Sequence, residues 1–194
     1  MRVLGINGIR TNGEESTDRA LSILRQRDIE AVDADYPMTR WVLQARSRAR
    51  QFRDARLVMD QQCDGDAVIA HSRGCLVNLR MMELGAKFST VFWFRPAMNC
   101  DMHIPSGGCK RLFIIHHPGD RAIWLGARLP WHDFGDAGRL GLNAGNPEHE
   151  DFDARCMNIQ APDYQKHELW RHSDDFLPEN INRWIRYMEL HFNG

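Results

Sequence analysis

Several features that mark specialised classes of protein are missing from this 194-residue sequence. No apolar run approaches the roughly 20 residues of a membrane-spanning helix, and the apolar start from Arg2 to Asn7 is too short for a signal peptide. The five cysteines are scattered without a Cys-x-x-Cys pair, which argues against a zinc or redox site and favours a reducing compartment. We therefore expect a cytoplasmic protein with no membrane span, no metal site and no cofactor.

An excess of charge and a phosphate-binding motif are missing too. The formal net charge is -1, so composition gives no reason to expect nucleic acid as a partner. The stretch Gly5-Ile6-Asn7-Gly8 has neither the glycine spacing of a dinucleotide site nor the lysine of a Walker loop. What is present is an ordinary globular composition, 43% hydrophobic and 26% charged, at a length that suits a single domain over residues 1–194.

Short apolar runs alternate with helical patterns along most of the chain. Runs typical of buried strands lie near residues 2–7, 29–36, 66–71, 90–96, 111–116 and 154–161. Helical patterns lie near residues 16–27, 39–63, 72–87 and 178–190. This alternation predicts an α/β fold, a three-layer sandwich with a mostly parallel central sheet. At about residues 126–152 the periodicity fails and glycine is frequent, which predicts a lid or wall loop over a functional site.

The stretch from Asp66 to Leu79 stands out because a buried strand leads through a serine directly into a helix. Its centre, Ala70-His71-Ser72-Arg73-Gly74, is close to the Gly-x-Ser-x-Gly pattern of a nucleophile elbow, where small residues permit a sharp turn. Ala70 replaces the first glycine of that pattern. The alternative is an ordinary turn with a helix-capping serine. Ser72 is thus the first candidate nucleophile.

A reactive serine needs a histidine base and an acid that orients it. In open α/β sheets such groups meet beyond the carboxyl ends of the strands. Asp120 follows the apolar run at 111–116 through a Pro-Gly turn, and His172 follows the last predicted strand. The order Ser72, Asp120, His172 is that of the α/β hydrolases.

Each of these assignments has an alternative. His167 also follows the last predicted strand and is the second choice of base, whereas His71 is expected to pack beside the serine. Asp133 and Asp136 are the next acids to consider. Asp120 itself has the alternative of a simple turn residue.

Four pieces of the chain together resemble a compact α/β hydrolase, the esterase-like and lipase-like serine hydrolases of small bacterial or phage type. They are Asn7-Gly8, where the family often has His-Gly, the elbow at 70–74, the turn Pro118-Gly119-Asp120-Arg121, and His172-Ser173-Asp174. The resemblance extends from Arg2 to the C-terminal helix. The chain is too short for the first strands of the family, so the resemblance implies a trimmed α/β-hydrolase fold.

The resemblance also implies a mechanism. Ser72 would attack an acyl carbonyl, His172 would take up and return the proton, and Asp120 would fix the imidazole tautomer. Backbone N–H groups of Arg73 and Ile9 would hold the oxyanion. We therefore expect hydrolysis of a small acyl ester or thioester through an acyl-enzyme intermediate. A non-catalytic binding module that keeps the hydrolase fold is the alternative.

Overall fold

The computed structural model of the protein describes residues 1–8, 17–36, 47–61, 67–128, 134–165 and 169–192. The strands are β1 Arg2–Ile6, β2 Glu30–Asp33, β3 Ala67–His71, β4 Phe88–Phe94, β5 Cys109–His116 and β6 Cys156–Gln160. The helices are α1 Thr17–Arg25, α2 Arg48–Met59, α3 Arg73–Glu83, α4 Arg121–Gly126, α5 Ala137–Leu140 and α6 Pro178–Phe192. Two 3-10 turns lie at Asn143–Gly145 and Asp174–Phe176. None of the described helices combines the length and apolarity needed to cross a bilayer.

The six described strands form one sheet in the order β2-β1-β3-β4-β5-β6, and every pairing is parallel. The predicted α/β class is thereby confirmed, with an all-parallel sheet where a mostly parallel one was expected. The chain runs outward from β1 to β2 and then crosses back to β3, so the winding reverses between β1 and β3. In open α/β sheets, ligands bind beyond the carboxyl ends of the strands at such a switch point.

Alternate residues of the strands enter two apolar cores, one on each face of the sheet. Leu4, Val68 and Trp93 belong to the core that also holds residues of α2 and α3. Val3 and Phe92 belong to the core that holds residues of α1 and α6. Burial on both faces explains why these strands read as continuous apolar runs in the sequence.

The register aligns the carboxyl ends of the strands along one edge. Ile6 pairs with Ala70, His71 with Phe94, and His116 with Gln160. The residues that follow these ends therefore meet at a common rim, and this rim carries the polar residues of the candidate site.

Two predicted elements differ in extent from the structure. Of the helix predicted at 39–63, the described part runs from Arg48 to Met59 and starts at Ser47, whose hydroxyl accepts from the Arg50 backbone N–H at 3.4 Å. The glycine-rich segment at 126–152 includes α5 and a 3-10 turn, and Phe134 and Leu142 are buried in the core. Part of the segment thus packs against the core, while residues 129–133 lie outside the described residues, and its role as a lid or wall stays a prediction.

Gly74 gives a test of the packing between α3 and β1. A Cβ there would lie 2.1 Å from the Ile6 carbonyl oxygen and 2.7 Å from that of Asn7, both main-chain atoms. We predict that Gly74→Ala lowers the free energy of unfolding by about 1–3 kcal/mol, measured by urea denaturation. A Cβ at Gly126 meets nothing within 4 Å, so Gly126→Ala should stay within about 0.5 kcal/mol of wild type. Equal effects of the two changes would contradict this packing.

Candidate active site

Ser72 occupies the sharp turn between β3 and α3. Its backbone has φ 56° and ψ -124°, a conformation that L-residues rarely adopt and that is typical of strained functional turns. Among the described residues of α3, no backbone N–H donates a capping hydrogen bond to its hydroxyl. The alternative of an ordinary helix-capping serine is therefore wrong.

Glycines allow the backbone to pass close to this turn. A Cβ on Gly8 would lie 2.8 Å from the Cβ of Ser72 and 3.2 Å from its Oγ. The segment that follows β1 therefore passes close to Ser72 at the switch point of the sheet. Ser72 is only 8% exposed to solvent. Ile9, the predicted second oxyanion donor, lies outside the described residues.

Arg73 contributes its backbone and its side chain to different tasks. Its backbone N–H belongs to the first residue of α3, directly after Ser72. Its guanidinium is fully buried, and Nη2 lies 2.7 Å from Oδ2 of the equally buried Asp54 on α2. This ion pair joins α2 to the elbow helix, and the sequence analysis missed it because the two residues are far apart in the chain.

Asp120 and His172 form a buried hydrogen-bonded pair. Nδ1 of His172 lies 2.7 Å from Oδ2 of Asp120, and the aspartate side chain is fully buried while that of the histidine is 17% exposed. The other aspartate oxygen accepts from the Ile123 N–H at 2.9 Å and caps α4. Asp120 is therefore a turn residue and a histidine partner at once.

The charge of Asp120 decides which nitrogen of His172 carries the proton. Burial raises the pKa of Asp120, but the charge and hydrogen bond of His172 and the N–H of Ile123 outweigh it, so the pKa lies below its ordinary value. An ionised carboxylate only accepts hydrogen bonds, so His172 donates from Nδ1. Nε2 is then the basic nitrogen of the ring.

The segment carrying His172 lies against the elbow. His71, the residue before Ser72, has Nε2 3.0 Å from the carbonyl oxygen of His172, and the two rings are 4.7 Å apart between centroids. His172, which is paired with Asp120, thus contacts the residue immediately before Ser72. His167 and Asp133 lie outside the described residues, and Asp136 forms a 3.1 Å ion pair with Arg139.

A second buried pair lies under the same segment and was not predicted. Arg95 directly follows β4 with φ 48°, and its Nε lies 2.6 Å from Oδ2 of Asp175. The other oxygen of Asp175 accepts from the Tyr164 hydroxyl at 2.6 Å and from Nε1 of Trp184 at 3.0 Å. An arginine at the end of an apolar strand and an aspartate before the apolar Phe176 were the available signals.

Asn7 directly follows β1 and makes several hydrogen bonds. Its Nδ2 donates to Asp18 at 2.9 Å and to Asp33 at 3.3 Å, and its Oδ1 accepts from the hydroxyl of Thr17 at 2.6 Å. Its carbonyl oxygen accepts from the hydroxyl of Tyr36. These hydrogen bonds fix the backbone at the end of β1, immediately before Gly8, which lies close to Ser72.

An open groove of about 590 Å³ lies beside the Asp120 turn. Its walls are largely apolar, with the half-exposed side chains of Trp124, Leu125 and Trp170. Among the described residues, no group of three or more histidine, cysteine, aspartate or glutamate side chains is arranged to hold a metal ion.

The burial of His71 predicts a pH dependence of stability. Burial and the neighbouring His172 lower the pKa of His71 from 6.5 to about 3, so the unfolded chain binds a proton that the folded protein does not. The stability that wild type has above pH 6.5 should fall as the pH drops toward 3. The glutamine of His71→Gln cannot take up this proton. The free energy of unfolding of this variant should therefore fall less steeply over the same pH window, by up to about 1.4 kcal/mol per pH unit.

The measurement is urea denaturation of both proteins at several pH values in this window. The same substitution at the exposed His103 is the matched control for the loss of one histidine. A constant difference between wild type and His71→Gln from pH 7 to pH 4 would contradict the neutral, buried state of His71.

No protein-family model and no curated protein matches this chain. What the site does is therefore inferred from its own residues and geometry.

Proposed function

We propose that the protein is a serine hydrolase of trimmed α/β-hydrolase type that cleaves an ester or thioester. One observation carries this proposal: a serine in a strained, uncapped turn at the switch point of the sheet directly follows His71, which contacts a histidine that an ionised aspartate orients. Each part has a simple structural explanation by itself. We infer a shared function from their positions after β3, β5 and β6, at the same edge of the sheet.

In the proposed reaction, Oγ of Ser72 adds to the acyl carbonyl carbon while its proton passes to Nε2 of His172. The tetrahedral intermediate collapses, the bond to the leaving group breaks, and the alcohol or thiol takes the proton from His172. Water then repeats the sequence: it gives a proton to His172, its oxygen attacks the acyl-enzyme, and Ser72 leaves with that proton. Asp120 holds the imidazole and stabilises its charged form throughout.

The oxyanion would be stabilised at the N-terminus of α3. The N–H of Arg73 lies at this end, where the helix dipole favours negative charge. The second donor is proposed to be Ile9, because its neighbour Gly8 passes so close to Ser72 that a Cβ on Gly8 would lie 2.8 Å from the Cβ of Ser72. Two such donors aimed at the developing charge are each worth about 3 kcal/mol to the transition state.

The groove beside Asp120 is the proposed site for an apolar part of the substrate. Tryptophan and leucine walls favour an acyl chain or an apolar leaving group over a sugar or a highly charged group. The half-exposed Trp124 and Trp170 line the groove together with Asp120, and Trp170 lies two positions before His172 in the chain.

The test is hydrolysis of p-nitrophenyl butyrate by purified wild type and variants. Ser72→Ala and His172→Ala should each lower kcat by about 10⁴-fold or more, because each removes a group that takes part in bond making. Asp120→Asn should lower kcat strongly as well, because the amide favours the wrong tautomer of His172.

The matched control is His167→Ala, which removes the other histidine that follows the last strand. It should keep most of the wild-type rate. If His167→Ala abolishes activity and His172→Ala does not, the proposed base is wrong. If the folded wild type hydrolyses no ester, or Ser72→Ala keeps its rate, the protein is better described as a binding module with this fold.

A further inference from the structure

His71 has no role in the proposed proton transfer, yet it is fully buried between the elbow and the segment that carries His172. Its Nε2 lies 3.0 Å from the carbonyl oxygen of His172. Its Nδ1 is buried and has no hydrogen-bond partner among the described residues. Burying an imidazole with one nitrogen unsatisfied destabilises the folded protein. The presence of a histidine here therefore calls for a role for the hydrogen bond that its other nitrogen makes.

The partner determines the state of the ring. A carbonyl oxygen only accepts hydrogen bonds, so His71 carries its proton on Nε2 and donates it. Nε2 is thereby committed to the main chain of His172, and Nδ1 is closed off in the interior. His71 is consequently a neutral donor and not a second base.

The segment around His172 is irregular and needs fixed points. Arg171, immediately before His172, has a left-handed backbone with φ 59°. The Trp170 carbonyl oxygen accepts from the Arg121 N–H at 2.9 Å, and Asp175 is held by its buried partners. These contacts join the segment to α4 and to the core, whereas His71 joins it to the end of β3, directly before Ser72.

The packing around the ring supports the same function. The ring of His71 lies 4.7 Å from that of His172 and 5.1 Å from that of Phe176, between centroids. Phe176 is fully buried and contacts Phe94 at the end of β4. The imidazole is thus held in one orientation, and its N–H points at a single acceptor.

We propose that His71 is a positioning residue: its Nε2–H fixes the main chain of His172 to the elbow and so sets the position of the His172 ring relative to Ser72. This inference rests on the proposed hydrolase function for its effect on rate. The juxtaposition itself is independent of any reaction.

Two substitutions separate the hydrogen bond from the packing. An extended glutamine places its amide N–H₂ close to where Nε2 of histidine lies, whereas leucine fills the space without a donor. His71→Leu should lower kcat for p-nitrophenyl butyrate by about a hundredfold with little change in KM, because a displaced base slows the chemical step. His71→Gln should recover most of that loss.

A spectroscopic measurement reports on the same contact without turnover. The Nδ1 proton of His172 in its bond to Asp120 should give a far-downfield ¹H NMR signal, assigned by its loss in His172→Gln. The signal should be sharp in wild type and His71→Gln and broadened or lost in His71→Leu. Thermal unfolding establishes that each variant is folded, and His71→Met replaces His71→Leu if the latter is not.

Three results would overturn the inference: wild-type kcat in the folded apolar variant, an unchanged NMR signal in that variant, or a glutamine variant no better than the apolar one. Failure of the proposed function would look different. Wild type would then hydrolyse no ester while the NMR signal still responded to the substitution at His71.

Discussion

The turn at Ser72 is the constraint on which the rest of the site depends. A strand and a helix meet there with one residue between them, and the helix must pass directly over β1. This approach is possible because Gly74 has no side chain to meet the carbonyl oxygens of Ile6 and Asn7. The same sharp turn forces Ser72 into a backbone conformation with positive φ, which is strained, and the surrounding packing holds it there.

Buried ion pairs surround this turn and tie the other elements to it. Arg73 binds Asp54, Arg95 binds Asp175, and His172 binds Asp120, with Arg73, Arg95 and all three carboxylates removed from solvent. Buried charges are costly unless they are paired and hydrogen-bonded, so each pair specifies one arrangement of its segments. The pairs join α2 to α3, β4 to the His172 segment, and the start of α4 to His172. The apolar cores on both faces of the sheet stabilise the fold, and the buried pairs at its rim fix the positions of the segments around Ser72.

The fold was accessible from the sequence because its signals are local. Strands buried on both faces appear as apolar runs, and their alternation with helical patterns predicts a parallel sheet. The candidates Ser72, Asp120 and His172 could be found because each follows a strand, a rule that needs no knowledge of contacts. The helix-capping alternative for Ser72 could be decided only by its dihedral angles and its hydrogen bonds.

What the sequence did not reveal depends on pairs of residues distant in the chain. Arg95 and Asp175 are 80 positions apart, and an arginine after a strand gives no hint of its partner. The contact between His71 and the His172 carbonyl was hidden for the same reason. The hydrogen bonds of Asn7 were also missed, since its amide makes four of them to three residues that no local pattern connects, Thr17, Asp18 and Asp33.

Covalent labelling tests the central claim most directly. The folded protein is treated with a fluorophosphonate, which reacts with activated serines, and the adduct is located by peptide mass spectrometry. The account predicts one adduct, on the peptide that contains Ser72, and its loss in Ser72→Ala. A folded wild-type protein with no adduct, or an adduct on another residue that persists in Ser72→Ala, would contradict it.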